Sequence, residues 1–145
     1  MYAGLPHSSI TRLQRILNNA ARVLKGMGKY EHITPTLKEL HWLPVSSRIE
    51  YKILTLVHKA LHNAAPTYIR DLLVIRQNDY PLRSSSSTVL VIPRSRTTHY
   101  GDRAFSYVAP TMWNKLPSNI RNIHNLETFQ SNLKSYLFDK EYKTS

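Results

Sequence analysis

The sequence contains no cysteine, and among its 145 residues there are only four glycines and nine acidic residues. The lack of cysteine excludes disulfides, zinc sites with thiolate ligands and a cysteine nucleophile. The glycines are Gly4, Gly26, Gly28 and Gly101, which do not match the pattern of a glycine-rich phosphate-binding loop. No apolar run approaches the about 20 residues that span a membrane, and the first thirty residues do not resemble a signal peptide. We therefore expect an intracellular protein with no membrane partner.

The acidic residues are scattered singly along the chain, and the closest two are Asp139 and Glu141 near the C-terminus. Polymerases and nucleases use two or more carboxylates that converge on metal ions, and this pattern provides no such set. His58 and His62 have a spacing that could hold a metal, but no acidic neighbour completes the site. The favoured interpretation is that these two histidines flank the apolar side of the predicted helix 47–63, which faces the core. The sequence predicts no catalytic residue, no metal, no cofactor and no small-molecule substrate, and hence a protein that is not an enzyme.

Positive charge dominates the composition, because 20 lysines and arginines oppose nine acids for a net charge of +11. A domain this basic attracts polyanions, of which nucleic acid is the commonest and an anionic membrane surface the second. A soluble domain with a merely positive surface is the remaining interpretation. The length favours one domain over residues 1–145, and 41% hydrophobic residues allow it a core.

Residues 9–25 carry the clearest helical pattern, which Gly26 ends. At about 100° per residue, one face is apolar and consists of Leu13, Ile16, Leu17, Ala20, Val23 and Leu24. The opposite face is basic and consists of Arg12, Arg15, Arg22 and Lys25. Lys29 follows, and no acidic residue occurs among the first thirty. A face of one sign favours contact with phosphates, with ordinary solvated surface as the alternative.

The rest of the pattern predicts a mainly α fold of five to seven helices around one core. The predicted helices after the first are 34–40, 47–63, a short helix from Pro66, 102–108, 110–116 and 126–140. Ser47 with Glu50 has the spacing of a capping box, and Asn125 is the predicted cap of the last helix. Residues 76–88 are predicted to be a loop. The single predicted strand is 88–92. Its possible partner is 94–99, which would give a small hairpin or ribbon near 88–98. The predicted core is Leu13, Leu17, Ile53, Leu56, Val57, Leu61, Trp113 and Phe129, with Trp42 also assigned to it.

A second basic cluster contains Arg94 and Arg96, which would point to the same face of an extended strand. With Tyr100 nearby, they could lie along a nucleic-acid backbone. They could equally protect an edge strand from aggregation. The candidate nucleic-acid-binding residues are therefore Arg12, Arg15, Arg22, Lys25, Lys29, Arg94 and Arg96.

Several segments in order resemble one family of proteins. They are 13–22 (LQRILNNAAR), 32–35 (HITP), 37–44 (LKELHWLP), 48–53 (RIEYKI), 59–62 (KALH), 65–68 (APTY), 100–106 (YGDRAFS), 109–110 (AP) and 113–117 (WNKLP). Together they resemble the C-terminal region, at and after the end of the thumb, of LINE-type, jockey-like non-LTR retrotransposon reverse transcriptases. The resemblance extends from about residue 2 to residue 138.

The resemblance implies a C-terminal fragment of a longer polyprotein, with 1–28 as the thumb-end helix and 29–145 as the post-polymerase region. The polymerase and endonuclease of that family lie upstream, so none of their catalytic residues matches a position here. The implied function is binding of template RNA or target DNA through the backbone, beside the upstream polymerase domain, with a nuclear location if the fragment is functional. The alternative is a structural domain that packs on the polymerase, or an inert truncated relic.

Overall fold

Seven helices form most of the part of the chain that the computed structural model describes, which is residues 6–76, 88–94 and 104–143. They are α1 (His7–Lys25), α2 (Thr34–Glu39), α3 (Val45–Leu61), α4 (Thr67–Arg70), α5 (Phe105–Lys115), α6 (Ser118–Arg121) and α7 (Leu126–Tyr142). The predicted mainly α class with five to seven helices is confirmed. The predicted loop after residue 76 lies almost entirely outside the described residues.

The main core forms where α3 packs against α5 and α7. Trp113 and Phe129 are fully buried there with ring centroids 5.8 Å apart, and Ile53 and Val57 of α3 pack beside them. The indole Nε1–H of Trp113 donates to the Thr88 carbonyl at 3.0 Å, so its polar atom is satisfied inside the core. These four members of the predicted core are confirmed, and Leu61 is half-buried against them.

Leu56 corrects the core prediction for α3, because it is only half-buried and lines a surface cleft. Leu54 lies two residues earlier on another side of α3 and is completely buried. In the short helix from Pro66, the pattern predicts that Tyr68, Ile69, Leu72 and Leu73 face inward. Ile69 is buried and Leu73 half-buried, but Tyr68 and Leu72 are exposed. A helix of four residues has too few turns for periodicity to identify its inner side.

Two predicted helix ends, the stop of α1 and the cap of α7, agree with the sequence because each depends only on residues next to it along the chain. Gly26 has φ 62° and ends α1 in the left-handed conformation, which glycine adopts without steric cost. Asn125 accepts a hydrogen bond from the Thr128 N–H at 3.0 Å and caps α7. The predicted capping box is wrong, because α3 begins at Val45 after Pro44. Ser47 then lies inside the helix, where its hydroxyl donates to the Glu141 carboxylate at 3.1 Å.

Pro110 lies inside α5, where two helices divided by a proline were predicted. Proline removes one helical hydrogen bond and is unfavourable by about 3 kcal/mol in a helix interior. Its side chain and the neighbouring Ala109 are buried, so packing of this turn against the core compensates for that loss.

Residues 88–94 form no strand among the described residues. Leu90 makes an isolated antiparallel bridge with Ile75, and the side chain of Asn114 bonds both the N–H and the carbonyl of Leu90, at 3.0 and 2.8 Å. The extended segment is therefore held by α5 and by the end of the α4 region. The predicted pairing partner, 94–99, lies outside the described residues from residue 95 onward.

The orientation of α1 is the main departure from the sequence prediction. Its predicted apolar face is turned to solvent, with Leu13 39%, Ile16 65%, Val23 81% and Leu24 64% exposed. Ala20 is also exposed and Leu17 is half-buried, so Leu13 and Leu17 do not belong to the core. The helix packs instead through a side about a quarter of a turn away. Ala21 on that side is buried with Leu37 and Tyr142.

Candidate nucleic-acid interface

The basic residues predicted on α1 divide into two pairs. Arg12 and Arg15 are exposed, and neither has a carboxylate partner among the described residues. Arg22 is half-buried and donates to the Glu31 carbonyl at 3.4 Å, and Lys25 forms an ion pair with Glu39. Arg22 and Lys25 thus hold α1 against the α2 region, while Arg12 and Arg15 remain available to a ligand.

The other predicted cations are less closely grouped. Lys29 is exposed after α1 and places its ammonium 5.7 Å from the centroid of the Tyr30 ring. Arg94 is exposed at the end of the extended segment, and Arg96 lies outside the described residues. The described residues therefore bring Arg12, Arg15, Arg22 and Lys25 together on one helix.

A groove of about 600 Å³ runs beside α1, between this helix and α2. Arg15 and Lys38 line it from opposite helices, and Asn18 and Thr34 add neutral hydrogen-bonding groups. The end of α7 closes the groove with Glu141 and Tyr142. Gln14 helps to set the groove's width, because its side-chain oxygen accepts the Val45 N–H at 2.8 Å. This arrangement places one exposed α1 arginine at the rim of a concave surface.

A second concave surface, which we call the cationic cleft, was not identified from the sequence. It is a cleft of about 340 Å³ between the α2–α3 link, α3 and α7. Its charged and aromatic lining residues are His41, Trp42, Arg48, Tyr51, Lys52 and Lys134. An adjoining cleft of about 370 Å³ shares Tyr51 and Lys52 and adds Lys59. Among the residues that line these two clefts there is no carboxylate.

The sequence carries one signal for the cationic cleft, which is the spacing of the α3 cations. Arg48, Lys52 and Lys59 fall within about 40° of one another on a helical projection. Lys134 could not be added to that line from sequence, because its place depends on how α7 packs on α3. Trp42 was assigned to the core, and it is half-buried against the small cluster of Ala21, Leu37 and Tyr142, with part of its surface in the cleft.

The positions of His58 and His62 agree with the expectation that they flank the core-facing side of α3. His58 is buried with its ring 4.2 Å from those of both His62 and Phe129. Its Nε2 lies 2.7 Å from the Ile123 carbonyl, and His62 Nε2 lies 3.3 Å from His124 Nδ1. In the described part of the chain, no three histidine or acidic residues are placed to hold a metal ion.

No family model, no curated protein and no solved structure matches this chain. None of the helices within residues 6–76 and 104–143 has the length and apolar character to cross a membrane. The sequence and the fold therefore define a class, namely a strongly basic and mainly α-helical protein with cations on two concave surfaces.

Proposed function

We propose that this chain is a non-catalytic nucleic-acid-binding fragment, derived from the C-terminal region of a non-LTR retrotransposon reverse transcriptase. It binds the phosphate backbone of RNA or DNA without reading sequence and so helps an upstream polymerase domain to hold its template or target. The observation that carries the proposal is a net charge of +11, part of which is displayed by Arg12 and Arg15 without a carboxylate partner among the described residues.

The four cations of α1 differ in whether other groups of the chain already bind them. Lys25 is paired with the Glu39 carboxylate, so its charge is partly neutralised within the chain, and the Arg22 guanidinium is already bonded to the Glu31 carbonyl. Arg12 and Arg15 are exposed on successive turns, and guanidinium groups bind phosphate oxygens in a bidentate manner. Such contacts position a nucleic acid and carry little base information.

The test compares two double variants that remove the same charge. Arg12→Ala with Arg15→Ala should weaken binding of a labelled RNA and of a labelled duplex DNA by a similar factor, about 10-fold at low salt. The control is Lys140→Ala with Lys143→Ala, because these lysines already pair with Glu50 and Asp139 on α3 and α7. Fluorescence anisotropy measures both. Equal binding by the parent and the Arg12/Arg15 variant would remove α1 from the proposed interface.

A second candidate function is a structural domain that packs on the polymerase, and the exposed stripe of α1 favours it. Three apolar side chains of the stripe, Ile16, Val23 and Leu24, are each more than half exposed. Exposed apolar patches of this kind often mark an interaction surface. Co-expression with the upstream polymerase region tests it. A complex that Ile16→Ser with Val23→Ser disrupts, while nucleic-acid binding by the free chain is absent, would favour this function over the first.

A further inference from the structure

The cationic cleft contains charges that the described part of the protein does not use for its own ion pairs. Lys52 and Lys134 are exposed, and the three ion pairs found among the described residues involve neither of them. Glu50, the nearest acid along α3, pairs with Lys140 at 3.1 Å and projects from another side of the helix. Positive groups that converge on a cleft without a counter-charge provide a site for an anion.

The rings in the cleft indicate which kind of anion. Trp42 and Tyr51 line the same space as Lys52 and Lys134, so flat apolar surface and positive charge alternate within one site. Cations beside aromatic rings are the combination that binds single-stranded nucleic acids, because each nucleotide offers a charged phosphate and a base with a π-face. An acidic peptide would use the lysines and leave the rings without a role.

Arg48 is held in a fixed position within this site. Its Nε–H donates to the Leu43 carbonyl at 2.8 Å, and its guanidinium carbon lies 5.5 Å from the centroid of the Trp42 ring. A planar guanidinium that is already oriented loses little freedom when a base stacks on it. Unpaired bases stack on both aromatic rings and arginine planes, so the Arg48–Trp42 pair is a preformed platform.

The cations of α3 also give the site a direction. Arg48, Lys52 and Lys59 lie along one line of the helix over about 16 Å, and the clefts that they line adjoin each other through Tyr51 and Lys52. A strand that enters beside Trp42 can therefore continue along α3 with its phosphates near positive charge.

We propose that the cationic cleft binds single-stranded nucleic acid, with a base against the Arg48–Trp42 pair or Tyr51 and phosphates at Lys52 and Lys134. A duplex is a poorer ligand for this cleft, because its bases are stacked on one another and cannot reach the rings. The proposal shares its ligand class with the proposed function but no residue with the Arg12–Arg15 pair. Either surface can therefore fail without the other.

The experiment titrates a single-stranded oligonucleotide of about 12 nucleotides, within the range of site sizes for single-strand binders, and the corresponding duplex. Binding is followed by anisotropy of a labelled strand and by tryptophan emission of the unmodified chain. Trp113 is completely buried, so a change in emission on binding reports chiefly on Trp42. The variants are Lys52→Ala with Lys134→Ala, Arg12→Ala with Arg15→Ala, and the charge-matched control Lys140→Ala with Lys143→Ala. Circular dichroism confirms that each folds.

We expect the single strand to quench tryptophan emission and the duplex to leave it nearly unchanged. The Lys52/Lys134 variant should bind the single strand about 10-fold more weakly at about 0.1 M salt, with a salt slope shallower by about 1.4. The Arg12/Arg15 variant should retain the quenching whether or not it loses affinity. Single-strand binding by the Lys52/Lys134 variant equal to that of the control, or saturation without any change in emission, would overturn the cleft proposal. An unaffected Arg12/Arg15 variant alongside a weakened Lys52/Lys134 variant would overturn only the α1 interface.

Discussion

His58 illustrates how one buried residue links stability to pH. Its Nε2 is 2.7 Å from the Ile123 carbonyl, so this nitrogen carries the proton and donates, while Nδ1 is buried without a hydrogen-bond partner. Burial lowers the pKa of His58, and the nearby rings of His62 and His124 lower it further, against the opposing effect of the Ile123 carbonyl. At neutral pH the folded protein therefore holds this ring in its neutral form.

The consequence is a loss of stability on mild acidification. The unfolded chain protonates this histidine at its ordinary pKa of about 6.5, above the depressed pKa of the folded state. The unfolded state then binds more protons as the pH falls below that value, so the stability that is present above it decreases until the folded pKa is passed. Urea unfolding at about pH 7.5 and about pH 5.5 should show a lower midpoint at the acidic pH.

His58→Phe is the informative variant, because its ring can keep the stacking on Phe129 but cannot be protonated. It should be less stable than the parent at neutral pH, since the Ile123 carbonyl loses its donor, and its midpoint should depend less on pH. His7→Gln, at an exposed position, is the control. A pH dependence as large in His58→Phe as in the parent would show that another group is responsible.

Leu54 and Leu56 provide a matched pair on α3. Leu54 is completely buried and Leu56 is half-buried at a surface cleft. Leu54→Ala should reduce the free energy of unfolding by about 2–5 kcal/mol, and Leu56→Ala by clearly less, because solvent fills the space that the side chain leaves. Urea denaturation measures both variants. A larger effect at Leu56 would mean that α3 is rotated from the orientation described.

At the scale of the elements, α1 shows what periodicity can and cannot predict. The amphipathic pattern correctly predicted a helix that Gly26 ends, but not which side meets the rest of the protein. The choice depends on contacts from distant residues, including Val45 with Gln14 and Glu39 with Lys25. An apolar stripe predicts a buried side, but the pattern within one helix does not say whether another element of the chain packs on it.

The orientation of α1 can be tested by two substitutions with opposite expectations. Ile16→Ser lies on the exposed stripe and should change stability by no more than about 0.5 kcal/mol. Ala21→Leu would force a larger side chain between α1 and α2, where Ala21 is completely buried, and should reduce stability by about 1–3 kcal/mol. Thermal or urea unfolding distinguishes them. The reverse order of effects would place the apolar stripe inside.

The other elements show the same difference between signals that act locally and signals that tertiary packing overrides. Gly26 acts through its own backbone conformation and Asn125 through a side-chain bond to the N–H three residues later, and both were predicted correctly. Pro110 and Ser47 are signals that usually mark a helix boundary, and here the packing of α5 and α7 overrides them. The cationic cleft was missed for a related reason, since Lys134 joins the α3 cations only after α7 has packed on α3.

For the whole molecule, charge is the property that the sequence alone determines most completely. A net charge of +11 is independent of the fold, and it predicts attraction to polyanions before any contact is known. The fold decides how that charge is distributed. Lys25, Lys140 and Lys143 are paired with acids of the chain, whereas Arg12, Arg15, Lys52 and Lys134 remain exposed for a ligand.

The salt dependence of nucleic-acid binding by the unmodified chain shows directly whether the protein binds through phosphates. The logarithm of the association constant should fall linearly with the logarithm of salt concentration. A slope of about −2 is expected for duplex DNA if Arg12 and Arg15 bind phosphates, and about −3 for single strands if the cleft lysines also bind. RNA and DNA of unrelated sequence should bind with similar affinity. Binding that does not respond to salt, or no binding at low salt, would contradict a function that acts through phosphates.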